Sequence, residues 1–186
     1  MAWPSCSSTW PKPAAAYDSS LCAQKIPLRG ASCIGTGVED DDIGFYGPAL
    51  SEAYHLESEL ADYPRIVISD RLRDFIKSCP LEQTGIADKY IQDFFKICQS
   101  LIAQDADGQT IIDYLGKGSR ELFSNSPTLA GAHRDCVNKS REFVEAEFYQ
   151  LRDMEASRPR AEEKPRTSPA EKYARLKSYF ESRIQC

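Results

Sequence analysis

The 186-residue sequence has only two histidines, and none of its seven cysteines forms a Cys-x-x-Cys pair. A zinc site built on the usual Cys and His spacing therefore has nothing to start from. Cys6, Cys22, Cys33, Cys79, Cys98, Cys136 and Cys186 are odd in number and widely spaced, as in a protein of reduced thiols. Cys33 and Cys98 sit inside apolar runs and read as small buried hydrophobes. No apolar run approaches the ~18–20 residues of a membrane span. Met1–Trp10 has neither a basic n-region nor an apolar h-region, so a cytoplasmic protein without membrane contact is expected. Glycines at 30, 35, 37 and 44 form neither Gly-x-Gly-x-x-Gly nor a loop ending in Gly-Lys-Ser/Thr, and no Ser or Cys sits in a nucleophile elbow.

What is present fits a soluble globular chain: 41% hydrophobic and 27% charged residues, with a formal net charge of −5. Residues 152–183 hold nine basic and six acidic residues, a net of +3; the other 14 basic and 22 acidic residues give −8. Signs alternate along the basic stretch and no aromatics interleave as a stacking platform, so a solvated helical surface is expected and no nucleic acid.

Pro4, Pro11 and Pro13 among Ser and Ala mark residues 1–25 as a disordered lead, with a short helix over Tyr17–Gln24. Leu28–Gly35 reads as a strand, Glu39–Asp42 as an acidic loop and Ile43–Tyr46 as a second strand. Gly47-Pro48 opens a helix, with Ala49, Ala53, Leu56 and Leu60 as one stripe and Pro64 as its end. Arg65–Ile68 is a β-branched strand, and Ser69 can cap a helix over Asp70–Ser78. A helix over Ile86–Lys96 should turn Ile86, Tyr90, Ile91, Phe94 and Phe95 inward. Leu101–Gln104 and Thr110–Leu115 flank Asp105-Ala-Asp107-Gly108 as a hairpin, with Gly108 at positive φ. Ser126–Glu155 has long helical periodicity through Leu129, Cys136, Phe143, Val144 and Leu151. A charged linker spans 157–167. Ser168-Pro-Ala-Glu171 is a capping box opening a helix with the face Tyr173, Leu176, Phe180 and Ile184. The expected fold class is α/β (α+β): a sheet covered by helices, with a helical extension over 126–186.

Asp105-x-Asp107-Gly108 has the start of a calcium loop, but its twelfth position is Gly116 where a bidentate Glu is needed, so a turn is expected. His133 has no second ligand at metal spacing and reads as surface or core filler.

One series of motifs is more specific. Leu28-Arg-Gly-Ala31-x-x-Ile34-Gly35 and an acidic loop precede Phe45-Tyr-Gly-Pro-Ala-Leu50 and Ala61-x-Tyr-Pro-Arg-Ile-Val-Ile68; Asp105–Leu115 and Lys172-Tyr173 follow. The series resembles the C-terminal half of class III nucleotidyl cyclase catalytic domains, in a divergent bacterial branch. The resemblance implies a partial ferredoxin-like, cyclase-palm sheet over 26–125. It also implies cyclic nucleotide formation from a nucleoside triphosphate, in signal transduction, by an intact parent. Such an intact member would use Mg or Mn held by two aspartates of the N-terminal half, which are missing here, so no metal residue and no cofactor is assigned to this chain. The family's Asn and Arg positions fall on Ser51 and His55, and its base-reading Asp on Gly44, with Asp42 displaced nearby. The resemblance thus puts catalytic positions at Ser51 and His55 and nucleotide contacts at Arg29, Asp42 and Gly44. A neutral His55 lacks a guanidinium's fixed charge and fork, so the chain alone should be inactive. Its partner would be the missing half or a second copy in a homodimer. The competing expectation is a non-enzymatic assembly module or a degenerate nucleotide-binding domain.

Overall fold

A computed structural model describes residues 25, 27–42, 44–78, 86–157 and 167–184, with the side chains of 86–88 and 184 left aside. The fold is mixed α+β. In chain order the elements are β1 (Gly30–Ser32), β2 (Val38–Asp40), β3 (Gly44–Tyr46), α1 (Pro48–His55), β4 (Ile66–Ile68), α2 (Asp70–Ser78), α3 (Ile86–Ser100), β5 (Ile102–Gln104), β6 (Thr110–Ile112), α4 (Lys117–Ser124), α5 (Pro127–Ala156) and α6 (Pro169–Ile184). The 1–25 lead, its Tyr17–Gln24 helix and the 157–167 linker lie outside the described residues, apart from Lys25, Ser157 and Thr167.

The main sheet has the order β1-β4-β6-β5. β1 and β4 are parallel, with Ala31 opposite Val67, so the chain must cross over between them; α1 and a π-helical turn over Leu56–Leu60 make that crossover. β6 runs antiparallel to both neighbours, with Ile111 opposite Val67 and Ala103. All three β4 residues are buried, so both faces of this strand are covered, which explains an unbroken Ile-Val-Ile run in place of alternation. Each such side chain gains roughly 1.5–3 kcal/mol on burial.

Local signals position the helices. Ser69 Oγ accepts the Leu72 amide at 3.2 Å, capping α2. Ser168 and Glu171 satisfy each other's amides, at 2.9 and 3.2 Å, as a closed capping box. Gly108 has φ +82° in the β5–β6 turn. The core joins Tyr63, Ile111, Tyr114 and Leu115 to Val144 of α5 and to Leu176, Tyr179 and Phe180 of α6. Residues on both sides of the 125/126 boundary therefore share one core.

Five expectations are corrected. The Leu28–Gly35 strand contracts to Gly30–Ser32. Val38–Asp40, which takes in Glu39 and Asp40 of the expected acidic loop, pairs with β3 as a separate two-stranded sheet. This hairpin is fixed by close packing: a Cβ on Gly37 would collide with the Phe45 ring. On α3, Tyr90, Ile91 and Phe94 are exposed, because the helix turns Phe95 toward Phe75 of α2, with ring centroids 5.7 Å apart. Leu129 of α5 is exposed as well. Cys33 and Cys98 are half-buried; burial raises both thiols, and Cys33 Sγ donates to the Ala49 carbonyl.

Candidate functional site

The residues marked by the cyclase resemblance stand just before β1, on the β2–β3 hairpin and on α1. Ser51 and His55 are one turn apart on α1 and both exposed. Arg29, just before β1, directs its guanidinium to Glu57 in the π turn. The Asp42 amide donates to Asp40 Oδ1, and Gly44 takes φ +85° opposite Asp40. No hydrogen bond or ion pair joins any two of Arg29, Asp42, Gly44, Ser51 and His55 among the described residues. Gly47, at φ +134°, is required where the chain enters α1: a Cβ would lie 3.1 Å from both Gly37 Cα and the Thr36 carbonyl oxygen. That carbonyl accepts the Ala49 amide, so the first turn of α1 is closed by the chain's own backbone and is poorly suited to cradling a phosphate.

The densest arrangement of charge is elsewhere, and it unites the Tyr-Pro-Arg-Ile and Asp-x-Asp-Gly motifs. Arg65, only 2% exposed, enters β4 with its guanidinium under the β5–β6 turn. Nη1 donates to Asp105 Oδ2 and, at 3.0 Å, to Asp107 Oδ1; Nη2 donates to Asp107 Oδ2 and the Leu60 carbonyl, each at 2.6 Å. Tyr63 donates its hydroxyl to Asp105 Oδ2, and the Arg65 guanidinium lies 4.7 Å from the Tyr63 ring centre. Burial works to lower the Arg65 pKa, but the hydrogen bonds to Asp107 and Asp105 outweigh it and hold the guanidinium charged. Burial also works to raise Asp107, yet Arg65 and the Gln109 amide bring it below the ordinary carboxylate range. The Tyr63 hydroxyl is raised by burial and by Asp105.

This chemistry does not fit a divalent metal. The two carboxylates are turned onto one guanidinium, and no group of three His, Cys, Asp or Glu side chains gathers at metal-binding distance among the described residues. The turn works as a clamp on Arg65.

Beside the clamp lies a cleft of about 480 Å³ between the β5–β6 turn and α6. Its arginines already have acids: Arg175 meets Asp62 at 3.2 Å and Arg183 meets Asp113 at 3.1 Å. Asp113 also accepts the Tyr179 hydroxyl at 2.8 Å, and that hydroxyl accepts the Leu115 amide at 3.3 Å. Sequence reasoning passed over this second network. The one available signal was an acid, Asp113, placed between Ile112 and Tyr114 in an apolar run.

His133 of α5 stacks on Phe123 of α4, with centroids 4.4 Å apart and rings 17° from parallel. Its Nε2 is buried without a partner. Burial, helped by Arg120, holds its pKa below the ordinary value of 6.5, while a hydrogen bond with the Tyr114 backbone acts the other way. A depressed histidine contributes stability that is complete above the unfolded pKa and is lost as pH falls through the folded one. The urea midpoint should therefore decline as pH drops below about 6.5, and His133→Phe should remove that part of the slope. An unchanged slope in the variant would show that His133 does not titrate unfavourably in the fold.

Comparison with family models, with curated proteins and with solved structures finds no match for this chain. No helix among the described residues is long and apolar enough to cross a membrane.

Proposed function

We propose that this chain is the C-terminal half of a class III cyclase-like domain that acts by binding and assembly, not by catalysis of its own. The parent activity would be cyclic nucleotide formation from a nucleoside triphosphate in a bacterial cytoplasmic signalling protein, with Mg or Mn held by the N-terminal half of the domain. The observation that carries this reading is the edge of β1, which has no second strand beside it among the described residues. Among the described residues β1 pairs with β4 alone, at the side where the family sheet would continue into its N-terminal half. The Gly30 amide donates to the Arg65 carbonyl at 3.0 Å, so strand alternation turns the Ala31 amide to the unpaired side. An open edge is a template for another strand. The resemblance puts its functional positions at Ser51 and His55, and neither side chain has the fixed charge and fork of a guanidinium.

The purified chain is expected to form no cyclic nucleotide from ATP, GTP, CTP or UTP with Mg or Mn. Its Ala31 amide should exchange rapidly with solvent and become protected when the N-terminal half of a family domain is supplied as a separate polypeptide. Turnover that survives purification and disappears in Asp42→Ala or His55→Ala would overturn the non-catalytic reading, and a slowly exchanging Ala31 in the isolated chain would remove the open edge.

A further inference from the structure

The outer face of α3 carries Tyr90, Ile91, Phe94 and Ile97, at spacings of one, four and seven residues; Tyr90 is 76% exposed and Phe94 59%. Phe75 of α2, half exposed, extends the patch: its ring meets Phe95, and Phe95 meets Phe94 edge-on at 5.8 Å. Tyr90, Phe94 and Ile97 follow the alternating four- and three-residue spacing of a helix seam made for another helix. Along one flank run Lys89, Asp93 and Lys96, with Asp93 and Lys96 both more than half exposed and 3.5 Å apart.

We infer that this face is the contact between two copies of the chain, with α3 packed antiparallel on α3 of the second copy. The charge pattern selects a second copy over other occupants. The flank reads plus, minus, plus, and in an antiparallel pair like flanks face each other, so a short offset sets each Asp93 beside a lysine of the other chain. The pattern is complementary to itself under two-fold symmetry. The area also agrees: with about 150–250 Å² for each large aromatic fully exposed, the patch offers on the order of 500 Å² per copy. Doubling it gives roughly 1,000 Å², at the lower bound for a specific interface, so a weak, concentration-dependent dimer follows.

This contact is independent of the β1 edge, and the test separates them. Sedimentation velocity over a concentration series should show a monomer–dimer equilibrium for the full chain. Phe94→Glu, and Asp93→Lys with its flank of three positive charges, should each weaken dimerisation at least tenfold. So should Lys89→Glu/Lys96→Glu, with its flank of three negative charges. Mixing the last two proteins should restore a dimer of one chain of each kind, an outcome that a folding defect cannot produce; circular dichroism checks each variant alone. A chain monomeric at all concentrations, or a dimer indifferent to all three variants, would overturn the proposal. Association that persists in these variants while Ala31 is protected would locate it at β1 and leave the cyclase-like reading standing.

Discussion

Arg65→Ala is expected to lower the unfolding free energy by about 3–5 kcal/mol, the cost of removing one partner from a buried ion pair. Asp105 and Asp107 would then face each other across a small void, with no cation between them. The Leu60 carbonyl and the Tyr63 ring would lose their contacts too. Lysine should rescue only part of the loss, because one ammonium cannot span two carboxylates and a carbonyl in the fork geometry of a guanidinium. Asp105→Asn/Asp107→Asn in the Arg65→Ala background should recover stability by removing the repulsion, so the thermodynamic cycle reads a non-zero coupling, the combined variant losing less than the sum of its parts. Urea denaturation with a constant slope measures all of these variants. An Arg65→Ala protein within 1 kcal/mol of the parent would mean that water enters the turn and the clamp is not formed in solution.

Phe180→Ala should cost a comparable amount, about 3–5 kcal/mol. The Phe180 side chain is 1% exposed, and its ring meets those of Tyr114 and Tyr179 at 6.3 and 6.2 Å. Truncation would open a cavity where α6 meets the end of β6. The neighbouring Tyr179→Phe removes only a hydroxyl, but leaves Asp113 Oδ1 with the Arg183 guanidinium alone and the Leu115 amide without its acceptor. Thermal unfolding should rank the two, with Phe180→Ala the lower. The reverse order would assign the docking of α6 to its polar network in place of its apolar face.

Elements fixed by local chemistry were legible from residue order. The Ser69 cap, the capping box at 168–171 and the turn at Gly108 depend on side chains and φ angles within a few positions, and each stands where expected. The outward face of α3 was not legible. Periodicity finds an apolar stripe on a helix, but not whether the stripe meets the core or another molecule; both satisfy the same burial requirement. Val38–Asp40 was hidden for the opposite reason. Its pairing rests on Phe45 lying over Gly37 across the hairpin, a fit that leaves no apolar alternation in the strand itself.

The Arg65 clamp shows the same limit at the candidate site. An arginine opening a strand and two aspartates in a turn each look like surface groups, since charged residues are almost never buried unless paired. About 40 residues separate them, and neither motif names the other. An isolated cation beside an Ile-Val-Ile run was the signal available, and the sequence offered two acidic segments, 39–42 and 105–107, to receive it. The cyclase resemblance drew attention to Ser51 and His55, which the fold leaves exposed on α1.

The union of Leu115 with Tyr179, 64 residues downstream, sets a clock on biosynthesis. At ~5–20 residues per second of translation, Tyr114 and Leu115 emerge roughly 3–13 s before the helix that covers them. During that interval the β5–β6 hairpin is complete while its aromatic neighbours stay wet. A chaperone that holds nascent apolar segments would have its natural substrate there, and a codon change that slows α6 would lengthen the exposure without altering a single contact of the finished protein.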